Sequence, residues 1–287
     1  MTDILGLLYD LMSLVFVLGT MISMGLNLTV AQVTKPLRNI RFVIMALVIN
    51  FLIVPAAAYI LTLIIPMNET LVTGLILVSL AAGAPALPKL AEIAGVDTAA
   101  ATGLMVLLIV ATIIIMPIVL PLLLTGVEVS FWDIASGLIL MMLIPLALSL
   151  FVRARWQPIA ETAQPYFAQA SSFSLILLIV LMLILNFSSI VSLFGSGGLL
   201  ASIILIIVAA AAGYLLGGPG ASNKWVQSLG AGQRNIAAAM VVATMNFGDE
   251  ELVMIIVFSV ITMVVMAPLA GELGKRRGKA ASAETPA

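Results

Sequence analysis

Runs of about twenty apolar residues, parted by short polar stretches, recur along the whole chain. Each is long enough to cross a hydrocarbon core of roughly 30 Å as a helix. The interruptions fall at Gly, Pro, Asn and charged residues and predict nine spans. These run over 4–27, 40–65, 70–94, 98–124, 131–152, 167–190, 197–217, 223–247 and 250–274. A membrane β-barrel would instead show alternating ten-residue segments, so the fold class is an all-α polytopic membrane protein. Residues 4–27 are too long for a signal-peptide core and follow no basic leader, so they read as a true span. The closing stretch "KRRGKAASAETPA" (275–287) is polar and rich in small residues, and is expected to be disordered.

Composition agrees with this pattern. Of 287 residues, 63% are hydrophobic and 9% charged, with a mean hydropathy of +1.27, outside the range of soluble domains. The chain has no cysteine and no histidine, which removes disulfides, thiolate and imidazole metal ligands, thiol nucleophiles and histidine proton relays. An intramembrane enzyme would need paired acids, a Ser/Lys dyad or a histidine metal site. No intramembrane pair of aspartates is present, so the chain reads as a non-enzyme with no cofactor and no protein-bound metal.

Charge gives the orientation. Lys35, Arg38, Arg41, Arg153, Arg155, Lys224, Lys275, Arg276, Arg277 and Lys279 all fall on one side when nine spans are threaded. The positive-inside rule makes that side cytoplasmic, with the N-terminus outside. The opposite loops hold Glu69, Glu128, Asp249, Glu250 and Glu251 but no Lys or Arg. The bilayer is thus the partner these cations imply, and nucleic acid is not.

Two of the twelve cations, Lys89 and Arg234, lie inside spans. Gly83, Pro85 and Pro88 stand just ahead of Lys89, and Gly230 and Gly232 just ahead of Arg234. Proline removes a backbone N–H and glycine loosens helix geometry, so spans 3 and 8 are expected to be broken helices. Unwound backbone at membrane depth is tolerated where it is buried in protein or lines a wet cavity. Two such segments in corresponding places of two halves point to the midplane site of an inverted-repeat transporter.

Each residue also has a plain structural reading. Lys89 lies six residues from the turn at Gly95, roughly 9 Å along a helix, so it can snorkel or pair with Glu92 three residues on. Arg234 stands ten residues from Lys224 and fifteen from Asp249, near mid-depth, where a guanidinium needs a carbonyl, a carboxylate or a bound anion. Asn50, in "LVINFLIVP", either bonds a neighbouring helix or belongs to the site. Asp10 and Asp133 sit near span ends, the ordinary place for a solvated carboxylate.

Four stretches carry a family resemblance: "MISMGLNLTVAQV", "VINFLIVPAAAYIL", "AAGAPALPKLAEIAGVD" and "GAGQRNIAAAMVVATMNF". Together they resemble the M-G-L-x-L, Q-F-x-x-M-P-x-x-A, P-G-G-T-x-S-N and E-x-G-x-Q-N-x-x-x-A-A segments of the bile acid:sodium symporter family. The resemblance implies two inverted repeats, here lacking the first helix. It also implies a panel domain made of the first span (1–29) and the fifth and sixth spans (131–190). The core domain would be 40–124, with broken helix 70–94, and 197–274, with broken helix 223–247. A bacterial cytoplasmic membrane is the implied location.

The same resemblance places the family's sodium-binding Ser-Asn pair on Leu87 and Pro88, and its next hydroxyls on Ala101 and Met105. Its sodium-site glutamate falls on Gly230 and a nearby Gln on Arg234, while Asn50 keeps an amide. Sodium needs hard oxygen donors, so sodium coupling is doubtful. The expected function is secondary transport of a small organic anion by alternating access, with Lys89 and Arg234 standing in for sodium. The expected site comprises Asn50, Lys89, Gln233, Arg234 and Asn235, with Gly83, Pro85, Pro88, Gly230 and Gly232 shaping the backbone. The alternative is a sodium-coupled symporter that uses the remaining backbone and amide ligands.

Overall fold

The interruptions in the hydrophobic pattern become helix ends in the computed structural model of the chain, which describes residues 2–29, 31, 38–124, 130–185 and 195–283. Lys35, Glu128, the end of the sixth span (186–190) and the last four residues of the tail lie outside the described residues. The helices are α1 (Thr2–Asn27), α2 (Ile40–Ile64), α3 (Glu69–Leu80), α4 (Leu87–Ile93), α5 (Thr98–Leu123) and α6 (Phe131–Arg155). They continue as α7 (Gln157–Leu185), α8 (Gly198–Leu216), α9 (Ala221–Gly232), α10 (Ile236–Asn246) and α11 (Asp249–Ala283). No strand occurs among the described residues. Six helices, α1, α2, α5, α6, α8 and α11, contain a segment long and apolar enough to cross a membrane.

Side-chain caps set several of the starts. Asn39 Oδ1 accepts the Phe42 N–H at 3.2 Å, Asn68 Oδ1 that of Leu71 at 3.0 Å, and Asp97 Oδ1 those of Ala99 and Ala100. Prolines set the bends. Pro55 and Pro145 each follow a π turn, Ile49–Ile53 in α2 and Ile139–Leu143 in α6. A proline cannot donate to the helical ladder, and the chain absorbs the missing bond by widening one turn. Asn50 rides on the first of these turns and is fully buried.

α1 packs along α7 and α6, while α2 to α5 and α8 to α11 pack among themselves. Thr20 and Ser171 share a hydroxyl–hydroxyl bond of 2.5 Å between α1 and α7, and Gln164 Nε2 donates to Ser23 Oγ at 3.0 Å. The two groups also meet where the start of α6 touches α10. There Met245 Sδ lies 2.6 Å from where a Cβ on Gly137 would be.

One expectation is corrected at the end of the chain. Residues 275–283, expected to be disordered, continue α11 as helix. Alanine, lysine and arginine are good helix formers, and the run is helped by a Glu272–Arg276 pair one turn apart at 2.8 Å. Arg277 Nη1 also donates to the Gly95 carbonyl, tying α11 to the turn after α4.

Spans 3 and 8 are broken, as their glycines and prolines predict. The first break runs from Ala81 to Ala86 between α3 and α4, and the second is Gln233–Asn235 between α9 and α10. The two breaks meet, because the Asn235 N–H donates to the Ala81 carbonyl at 2.8 Å. Ala82 is served by Thr112 of α5, whose hydroxyl accepts from the Ala82 N–H and donates to its carbonyl at 3.0 and 3.1 Å. Gly83 turns the chain with φ +85°, and a Cβ there would stand 2.6 Å from the Ile109 nitrogen and 2.8 Å from the Met105 carbonyl.

This backbone contact generates a prediction. Gly83→Ala forces a left-handed alanine into the α5 backbone, with about 1–3 kcal/mol from overpacking and about 1–2 kcal/mol from the conformation. Thermal unfolding of the detergent-purified variant should show a clear loss of stability. An unchanged midpoint would mean that the break tolerates a side chain.

Candidate functional site

The last four carbonyls of a helix have no next turn to bond, and water is scarce at membrane depth. In α3 all four are nevertheless satisfied. Leu77 O accepts from the Ala81 N–H and Leu80 O from the Ala82 N–H. The other two are taken by one side chain from the other break. Arg234 Nε donates to Val78 O at 3.0 Å, and Nη2 donates to Ser79 O. Nη1 of the same guanidinium donates to Asn50 Oδ1 at 2.8 Å and to Ala231 O at 3.3 Å. Asn50 is itself held by its Nδ2 on the Ala46 carbonyl at 2.9 Å.

Arg234 is 1% exposed, one of the largest fully buried side chains, and the four oxygens it donates to are all neutral. A positive charge against the C-terminal end of a helix also suits the helix dipole. Asn235 belongs to the same knot through its backbone, and its Oδ1 caps α10 by accepting the Ala238 N–H at 3.1 Å. Gln233 ends α9 and contributes only its backbone N–H, bonded to Leu229 O.

Apart from Arg234 and Asn50, the positions that the family resemblance assigns to sodium ligands are apolar here. Leu87, Ala101 and Met105 are buried, and Gly230 carries no side chain. A Cβ on Gly230 would lie 2.8 Å from Leu104 Cδ2 and 3.2 Å from Leu87 Cδ2, so leucine carbons fill the surroundings of that position. The oxygens that remain, on Asn50, Val78 and Ser79, already accept from a cation. No group of three acidic residues that could hold a metal ion occurs among the described residues. This donor set does not fit a bound sodium ion, which needs several free hard oxygens and is repelled by a fixed guanidinium.

Lys89 is placed elsewhere. Its Nζ lies 2.9 Å from Glu92 Oε2, and the two side chains are 69% and 62% exposed. Of the two readings open for Lys89, the structure shows the pair with Glu92, three residues on along α4, while Arg234 is bonded at the crossing. Lys89, Glu92, Pro85 and Pro88 line a cavity of about 720 Å³ between α1 and α7 on one side and α4 and α5 on the other. Among the described residues, Lys89 and Glu92 are the charged ones that line it. Its polar walls come from Thr20, Ser23 and Asn27 of α1, Thr102 of α5, and Gln164 and Ser172 of α7.

Sequence reasoning missed Thr112 and the cavity hydroxyls. Thr112 is signalled only as a lone hydroxyl in the apolar run "VLLIVATIII", and the cavity walls join helices more than a hundred residues apart.

Helices without strands among the described residues, six of them long and apolar enough to cross a membrane, and two broken ones joined at their breaks, are the make-up of an integral membrane protein. Residues 14–193, more than half of the chain, match the Sodium Bile acid symporter family, and the chain belongs to it. Membership makes it a membrane transporter. No individually curated protein matches the sequence. The matched residues include the first break and end before the second, so Arg234 lies beyond them.

The bonds of Arg234 set its expected effect. Arg234→Ala leaves Val78 O, Ser79 O and Asn50 Oδ1 without this donor, at about 1–3 kcal/mol for each buried group left unpaired. Thermal unfolding in detergent should show a severe loss for Arg234→Ala. A smaller loss is expected for Arg234→Lys, which keeps the charge but not the planar fork. Equal stability of all three proteins would contradict the structural role.

Proposed function

We propose that the chain is a sodium-independent carrier of a small organic anion, working by alternating access in a bacterial cytoplasmic membrane. The observation that carries the reading is the guanidinium of Arg234 on Val78 O, Ser79 O and Asn50 Oδ1. It supplies, as a fixed part of the chain, the positive charge that a bound cation would bring to the crossing of two broken helices. On this reading nine crossings form two inverted halves, with the N-terminus outside. α1, α6 and α7 act as a panel and the remaining helices as a core, a division supported by their packing.

The cavity opens beside Asn27, Thr98 and Gln164, near the ends of α1, α5 and α7 that the cation pattern assigns to the cytoplasm. Towards the other side, α6 and α10 are in contact at Gly137 and Met245. The structure thus supports an inward-open state, and rocking the panel against the core would expose the cavity outward. A cation that cannot leave does not have to be loaded or released in the cycle. Substrate gradients alone then drive net movement, as uniport or exchange.

The test is counterflow of a labelled organic acid, chosen by thermal-shift screening, in proteoliposomes with and without a sodium gradient. Rates should agree within about twofold, since no interaction in the crossing depends on sodium. A strict sodium requirement with stoichiometric co-uptake would overturn the proposal in favour of sodium coupling through backbone and amide ligands.

A further inference from the structure

Arg234 is engaged by protein oxygens, so among the described residues the positive charge open to a ligand in the cavity is that of Lys89. Lys89 is paired with Glu92, and both side chains are more than half exposed. An ion pair this open holds its partners weakly, because solvent screens it and two flexible side chains must be kept in one geometry. A ligand carboxylate can therefore open it. The remaining polar lining is neutral, from hydroxyls and amides such as Thr20, Asn27, Thr102 and Gln164. Such walls suit hydroxyl groups better than a second charge or a broad apolar face.

We propose that Lys89 anchors the single carboxylate of a small hydroxylated acid, and that Glu92 is the resident carboxylate this substrate displaces and the reason a second carboxylate is refused. The proposal rests on the carrier reading above and adds the substrate class and the residue that sets charge selectivity. Lys89 neutralises one negative group. A monocarboxylate takes the place of Glu92 on Nζ, and the freed Glu92 turns to the water it already meets. A dicarboxylate brings its second group into the same cavity as the displaced Glu92, where no other cation lines the wall among the described residues. Two like charges about 6 Å apart in such a setting weaken binding by about tenfold. A neutral polyol gains nothing from Lys89 and leaves the resident pair closed. Selectivity here comes from an unfavourable contact with the wrong ligand as much as from a good one with the right ligand.

Gluconate, glucarate and sorbitol share a hydroxylated six-carbon chain and carry one, two and no carboxylates. Binding of each to the purified full-length protein in detergent, by calorimetric titration in sodium-free and sodium buffers, tests the proposal. The wild type should bind gluconate about tenfold more tightly than glucarate, and sorbitol not measurably. Lys89→Gln should weaken gluconate binding by about tenfold or more. Glu92→Gln should tighten it about two- to fivefold and abolish the discrimination against glucarate. Both side chains are exposed, so the ligand-free unfolding temperatures of the two variants should match the wild type and confirm that they fold. Gluconate binding unaffected by Lys89→Gln, or glucarate still refused by Glu92→Gln, overturns the proposal. So does a wild type that binds no gluconate. None of these outcomes turns on sodium, so the carrier reading fails separately, in the counterflow experiment.

Discussion

The arginine that closes the end of α3 is the interaction on which the rest of the structure depends. A helix that stops inside a bilayer needs partners for its last carbonyls, and here two of them are served by a residue more than 150 positions later in the chain. The planar guanidinium aims its donors in several directions at once, which an ammonium or a spherical ion does not do. One fork reaches Val78 and Ser79 of α3, a second reaches Asn50 on the π turn of α2, and the return contact to Ala231 fixes the end of α9. Three helices from both halves of the chain are held at one point. The short bond from Asn235 to Ala81 then sets how the two breaks face each other.

Magnitudes explain why an arginine is tolerable there. Insertion scales put a charged residue at the membrane centre at about 2.5–3.5 kcal/mol. Each buried carbonyl left unpaired costs about 1–3 kcal/mol, so serving three such oxygens offsets the insertion term. The neighbouring apolar positions follow from the same arrangement. On the carrier reading proposed above, the charge is covalently held and oxygen donors at 87, 101, 105 and 230 have nothing to coordinate; leucine, alanine, methionine and glycine stand there.

Much of this was legible in the sequence because membrane chemistry leaves few choices. A cation at mid-depth beside glycines, with no acid within fourteen residues, marks both an unwound helix and a need for neutral acceptors. That reasoning singled out Arg234, Asn50 and Asn235, which hydrogen bonds bring together at the two breaks. It did not separate Arg234 from Lys89, since both are cations after a break. What divides them is α4, which turns Lys89 onto Glu92 and out to the cavity. Helical spacing offered that pairing as an alternative, but spacing alone does not say which face of a helix is wet. The cavity walls and Thr112 were out of reach for a related reason, because tertiary packing brings them together and no local pattern marks them. The tail is a different case: small and basic residues fit disorder and helix alike, and the contact of Arg277 with Gly95 favours the helix.

On the carrier reading, the fixed cation also says where motion belongs. A sodium-loaded crossing changes its charge and its bonds in every cycle, and can therefore report loading to the rest of the protein. A crossing held by Arg234 has the same bonds whether substrate is present or absent, so it cannot be the switch. The contacts left to respond are those across the cavity, between α1 and α7 on one face and α4 and α5 on the other. An exposed ion pair contributes about 0–1 kcal/mol, small enough for a ligand to rearrange. Differential affinity for the two faces of the cycle must then come from the substrate itself. On that reading the two stray cations divide the work, one making the crossing permanent and the other leaving the cavity responsive.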